Sequence, residues 1–180
     1  MKLKVSGGAT TRPLTDRVKE SLFAIIQERL DDACVLDVFA GSGAFGIEAL
    51  SRGAARAVFV ECERSCTRAI DENLGKAKLA PRARVITQRA GRAMRALREA
   101  GESFDIIFCD PPFAISGDPG RSAEANKAFD EAEEGMLHKD GIVILRYEKG
   151  TAPQAVPAAF VETDRREYGR NILLFYRFRE

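Results

Sequence analysis

Little in this chain invites a metal, a disulfide or a membrane. There is one histidine, His138, and the four cysteines, Cys34, Cys62, Cys66 and Cys109, form no CxxC pair. Structural metal sites need paired ligands at short, fixed spacings, so no metal is expected. The cysteines read as buried or partly buried free thiols of a reducing cytoplasm. No apolar run approaches the roughly 20 residues of a membrane span, and the first eight residues lack the apolar stretch of a signal peptide. Nor does one sign of charge prevail. Lys and Arg number 28 against 27 Asp and Glu, leaving +1, short of a strongly cationic nucleic-acid binder. The distribution is less even. Lys2, Lys4, Arg12, Arg17 and Lys19 face Asp16 alone in the first nineteen residues, whereas 124–134 is acidic. A one-sided field of that kind can hold a phosphate backbone.

What is present reads as one globular α/β domain. Hydrophobic residues make up 45% and charged residues 31% of 180, ordinary values for such a domain. A basic segment and helix fill 1–31 and a sheet domain fills 32–180. Apolar β-type runs at 34–39, 57–61, 84–87, 104–110 and 141–148 alternate with helical patterns. Those helices cover 45–52, a stretch carrying Ala69, Ile70, Leu74 and Ala77 behind a Ser65 cap, 92–100 and 122–136. Gly53 stands where a left-handed helix cap is wanted. Strand–helix alternation implies right-handed crossovers and a parallel sheet wrapped on both faces. Ahead of it, Val18, Leu22, Ile25, Ile26 and Leu30 recur at helical spacing, with Thr15 or Asp16 as N-cap. Behind it, β-rich runs at 161–168 and 172–178 flank Gly169-Arg170-Asn171, a hairpin signal that predicts an antiparallel last strand. The expected fold is therefore one doubly wound, mostly parallel, seven-stranded sheet with a C-terminal antiparallel hairpin. The loop 114–121 is the stretch expected to move.

Two strand ends carry the chemistry. At the end of the first strand come Asp37, Val38, Phe39, Ala40, Gly41, Ser42, Gly43, Ala44, Phe45 and Gly46. Glycines at 41 and 43 let the backbone turn sharply and approach a ligand, with the next helix pointing its N-terminus there. An acid at Asp37 would repel a pyrophosphate and suit a ligand with a positive centre. S-adenosylmethionine, with its ammonium and sulfonium, fits better than a dinucleotide. Glu61 ends the second strand twenty residues past Gly41, where nucleotide folds place a carboxylate for the ribose hydroxyls; Cys62 lies beside it. After the fourth strand stand Asp110, Pro111, Pro112 and Phe113. Two prolines fix the turn. They can present the Asp110 carboxylate and the Pro111 carbonyl as acceptors for the two hydrogens of an exocyclic amine. Phe113 offers a face for stacking a base. Such placement is the main effect available to a direct methyl transfer, which needs no metal.

These motifs, taken with Thr11-Arg12-Pro13-Leu14-Thr15-Asp16-Arg17-Val18-Lys19-Glu20, resemble the RsmD family over nearly the whole chain. The resemblance implies a Rossmann-like class I methyltransferase that modifies guanine N2 of small-subunit ribosomal RNA. It further implies Thr11, Arg12 and Pro13 at the methionine end of the cofactor, and Arg12, Arg17 and Lys19 toward cofactor carboxylate or RNA phosphate. The expected partner is ribosomal RNA or the small ribosomal subunit, and the expected state a cytoplasmic monomer. Three departures stand out, one being a net charge of +1, low for the role. The family carries a basic hairpin ahead of the Arg-Pro motif, where this sequence has about ten residues. After the third strand the family's Asp or Asn is replaced by Gln88-Arg89-Ala90-Gly91, so the adenine contact falls to Gln88, Arg89, Ala90 or a backbone carbonyl. An amino-methyltransferase on DNA adenine or protein glutamine would use the same Asp-Pro-Pro-Phe box, and a non-catalytic cofactor-binding module would share the fold.

Overall fold

The computed structural model describes residues 15–111, 130–150 and 156–180. Helix α1 (Asp16–Ile26) is capped by Thr15, whose hydroxyl accepts from the Val18 N–H at 3.5 Å. Strand β1 (Cys34–Val38), helix α2 (Ala44–Ser51), strand β2 (Arg56–Glu61), helix α3 (Arg64–Ala77), strand β3 (Ala83–Thr87), helix α4 (Ala90–Glu99) and strand β4 (Phe104–Cys109) follow in turn. After a π-helical turn (Ala132–Met136) come β5 (Leu137–Glu148), β6 (Phe160–Tyr168) and β7 (Asn171–Phe178).

The seven strands form one mixed sheet in the order β3-β2-β1-β4-β5-β7-β6. The pairings from β3 through to β5 are parallel; β7 runs antiparallel to both β5 and β6. Period-two alternation sends successive side chains to opposite faces. Val35, Phe59, Ile106, Phe108, Ile144 and Phe175 pack with α1, α2 and α3 on one side. Leu36, Val38, Val60, Ile107, Val143 and Leu174 pack with α4 on the other. Two apolar layers thus clamp a sheet whose central strands are buried on both faces, which is why they read as unbroken apolar runs. None of the described helices is long and apolar enough to cross a membrane.

Several expectations need correction. Ile25 is 37% exposed, and Phe23 fills the core instead. Helix α3 begins at Arg64, with Glu63 rather than Ser65 at its N-cap and no side-chain cap bond there. Strand β5 starts at Leu137, not 141. Leu137 pairs with Phe104 ahead of a register shift, and Gly141 makes room for it, since a β-carbon there would lie 2.7 Å from the Leu137 side chain. The polar His138-Lys139-Asp140 disguised that extension as a turn. Of the helix expected over 122–136, residues 122–129 lie outside the described residues. The remainder ends in the π-helical turn, where Gly135 takes φ +108°. The loop 114–121 also lies outside. Cys66 and Cys109 are buried and Cys34 half-buried, but Cys62 is exposed.

Candidate active site

The chain leaves β1 through an abrupt turn. Phe39, Gly41 and Gly43 take φ +63°, +55° and +75°. A left-handed phenylalanine costs about 1–2 kcal/mol, so neighbouring bonds must hold it. The Ala40 N–H donates to Val60 O at 3.0 Å and the Gly43 N–H to Ala40 O at 2.7 Å. From α3, the buried Asn73 amide donates to Ser42 O at 3.2 Å. The glycines have separate tasks. A β-carbon on Gly41 would meet nothing nearer than Phe39 O at 4.0 Å, so that face is open to a ligand. One on Gly46 would fall 2.4 Å from the Phe59 ring, so this glycine lets α2 lie against the sheet.

Glu61 binds the turn directly. Its Oε2 accepts from the Gly41 N–H at 2.9 Å and its Oε1 from the Glu63 N–H at 2.9 Å. Each oxygen keeps a further lone pair for a ligand hydroxyl. Beyond it, the Gln88 N–H donates to Glu61 O at 3.0 Å, drawing the tip of β3 to the same edge. Asp37 sits beneath, 1% exposed, where its Oδ2 accepts from the Gly46 N–H at 3.0 Å. It serves the first turn of α2, whose N-cap is the side-chain-free Gly43. Burial pushes the Asp37 carboxyl well above the usual carboxylate range. The Gly46 N–H works against that, and the nearby charges of Asp110 and Glu61 add to it.

The tip of β4 adjoins the tip of β1. Val38 and Cys109 are register partners, and the Asp110 N–H donates to Val38 O at 3.2 Å. Asp110 Oδ2 accepts from Arg146 Nη1 at 2.6 Å. That arginine, on β5, is 2% exposed, and its Nε and Nη2 both donate to Asn171 Oδ1, at 3.2 and 2.8 Å. Asp110 Oδ1 is buried with no hydrogen-bond partner among the described residues. An unpaired buried acceptor is costly, and its persistence points to a donor supplied from outside. Burial raises the Asp110 pKa, against the charge and hydrogen bond of Arg146. Burial also pushes the neighbouring Cys109 thiol far up, which makes it a poor nucleophile. Among the described residues no group of three or more His, Cys, Asp or Glu side chains is arranged to hold a metal.

The model of a family described as conserved hypothetical protein 95 matches residues 1–177. The chain belongs to that family. This is the RsmD family of the motifs above. YlbH of Bacillus subtilis (strain 168), provisionally named an rRNA methyltransferase, is 33% identical over 177 residues, 98% of this chain and 93% of that protein. Ribosomal RNA small subunit methyltransferase D of Escherichia coli (strain K12) is 45% identical over 112 residues, 62% of this chain and 54% of that protein. The solved structure of yhhF from Escherichia coli, provisionally named a methyltransferase, superposes with a TM-score of 0.79 at 34% identity, covering 99% of this chain and 92% of that one.

In this RsmD-family chain the sheet edge gathers Asp37, Phe39, Ala40, Gly41, Ser42, Gly43, Glu61, Gln88, Asp110 and Pro111. Cys62 is exposed beside Glu61; Arg89 is exposed at the N-cap of α4, and Ala90 is buried. Arg17 is exposed and lines a cavity of about 340 Å³ with Thr15, Tyr168, Gly169 and Asn171. Lys19 lies 3.8 Å from Glu48 Oε2. Thr11, Arg12, Pro13, Pro112 and Phe113 lie outside the described residues. Sequence reasoning missed Arg146, Asn171 and Asn73. One signal for the first was available: Arg146 interrupts the apolar run Ile142-Val143-Ile144-Leu145, and a charge in a buried strand requires a partner.

Proposed function

We propose that this chain methylates the exocyclic N2 amine of a guanine in small-subunit ribosomal RNA. The donor is S-adenosylmethionine, held on a Rossmann-like class I methyltransferase fold in a single domain. The observation that carries the reading is Asp110 Oδ1, a buried acceptor without a partner among the described residues, one strand away from an open diglycine turn. The names of YlbH and of the Escherichia coli small-subunit enzyme support ribosomal RNA as the substrate.

The residues suit the cofactor. Glu61 has lone pairs left for ribose hydroxyls, Gly41 leaves room for close approach, and the acids at the strand tips favour a cation over a pyrophosphate. Gln88 stands at the adenine end, and Thr11, Arg12 and Pro13 are assigned to the methionine end. When bound, the cofactor supplies an electrophilic methyl on a cationic sulfur. Asp110 Oδ1 accepts one amine hydrogen and the Pro111 carbonyl the other, aiming the nitrogen lone pair. Phe113 stacks the base, and Arg17 and Lys19 with Arg12 face RNA phosphate. Catalysis here is chiefly orientation.

The test is to incubate the protein with labelled S-adenosylmethionine and, separately, small ribosomal subunits, naked ribosomal RNA, duplex DNA and glutamine-bearing protein. Label recovered as N2-methylguanosine is the expected result; label confined to DNA or protein, or binding without transfer, would overturn the proposal. Asp110→Ala should abolish transfer while cofactor affinity holds. Glu61→Ala should weaken cofactor binding by about 1–3 kcal/mol, since hydroxyls and the Gly41 N–H lose their acceptor.

A further inference from the structure

We infer that Arg146 and Asn171 are a paired positioning device for Asp110, with Asn171 holding the guanidinium so that it takes one carboxylate oxygen and leaves the other for the acceptor amine. The inference rests on the methyl-transfer reading above and extends it to two residues with no motif.

A guanidinium beside a carboxylate commonly closes on both oxygens in a fork, since the two planar groups match. Here it does not. Nη1 reaches Asp110 Oδ2 at 2.6 Å, while Nε and Nη2 are turned to Asn171 Oδ1 at 3.2 and 2.8 Å. Asp110 Oδ1 is left without a partner among the described residues. The Asn171 amide is itself oriented, its Nδ2 donating to Tyr168 O at 3.5 Å, which directs Oδ1 at the arginine. Strand register fixes the separation, because Arg146 and Asn171 sit on adjacent antiparallel strands, β5 and β7, near the end of their pairing. Had the fork closed, a guanidinium N–H would share Oδ1 with the amine hydrogen and pull that oxygen away from it. The neutral oxygen of Asn171 is a competitor that adds no second negative charge beside Asp110. Arg146 has a second effect. Its charge opposes the rise in Asp110 pKa that burial imposes, which favours the acceptor form of Oδ1.

Three variants test this in the full chain, with methyl transfer to small subunits or ribosomal RNA as the readout and cofactor binding by calorimetry as the control. Asn171→Ala removes the acceptor that turns Nη2 away from Asp110 Oδ1. The expected result is a fall in kcat of about 10- to 100-fold, the scale of a small misplacement of a reacting group, with cofactor affinity within about twofold. Arg146→Met should move the acid limb of the kcat–pH profile to higher pH. Arg146→Lys should keep that limb near its original position but lower kcat, because one ammonium cannot hold both partners in the fork geometry. Wild-type kcat in Asn171→Ala, or an equal loss of cofactor affinity, would overturn the inference. So would a pH profile in Arg146→Lys that matches Arg146→Met. If Arg146→Met does not fold, the other two variants still decide. Wild-type protein that methylates none of the ribosomal substrates would instead overturn the functional reading, and this one with it.

Discussion

Asp37 and Asp110 lie at neighbouring strand ends, and burial raises the pKa of each. For Asp37 this has a stability consequence whose sign follows from linkage. The unfolded chain ionises it near pH 4, and burial in the folded protein moves that ionisation to higher pH. Stability is therefore lost as pH rises above about 4 toward the elevated folded value. Asp37→Asn keeps an oxygen for the Gly46 N–H and removes the buried charge. We expect its melting temperature without ligand to exceed wild type at pH 7–8 and to converge with it at about pH 4, while cofactor affinity falls. A lower melting temperature across that range would refute the assignment. At this scale the sequence disclosed residues whose chemistry is local: a glycine turn, a strand-end acid, an Asp-Pro pair. Arg146 and Asn171 stayed hidden because their partners are separated by 25 and 36 residues along the chain, and only the register of three strands brings them together.

At the scale of elements, the seating of α2 decides whether the turn before it keeps its shape. Gly46 faces the Phe59 ring with no room for a methyl. Gly46→Ala must shift the helix or force the ring off its rotamer, at about 1–3 kcal/mol, and the urea midpoint should fall accordingly. Phe59→Leu in the same chain should recover part of the loss, a coupling that a double-mutant cycle would read. Additive losses would place the strain elsewhere. Strand and helix positions were legible because their periods differ, 2 against 3.6. Starts and ends were less so. The Ser65 cap failed because Glu61 and the backbone at Glu63 already shape the entry to α3, and β5 began early because Leu137 pairs with Phe104 ahead of the register shift that takes up the polar residues.

Across the whole molecule, the two edges of the sheet respond to acid in opposite ways. At the edge away from the turn, His138 Nδ1 meets Asp105 Oδ1 at 2.8 Å and the Cys34 N–H donates to Asp105 Oδ2 at 2.8 Å. Burial opposes them, but these bonds hold Asp105 below the usual carboxylate range. Its contribution is present above about pH 4 and lost as pH falls through the folded value. The Asp105 side chain is 40% exposed, so Asp105→Asn should cost no more than about 1 kcal/mol at pH 7 and make acid unfolding shallower; an unchanged acid limb by circular dichroism would contradict this. The layer order and the hairpin were legible from alternation and from Gly169. The place of β7 between β5 and β6 was not, since hairpin patterns say which strands pair with each other and not which one docks inward. That placement governs maturation. Of the seven strands, β7 is made last, yet it is the bridge by which β6 joins the sheet, and it delivers Asn171 to the far side of Arg146. A nascent chain can lay down both motif-bearing turns and still lack the residue that sets the acceptor, so methyl-transfer competence arrives late in synthesis, in one step, with the closing of the hairpin.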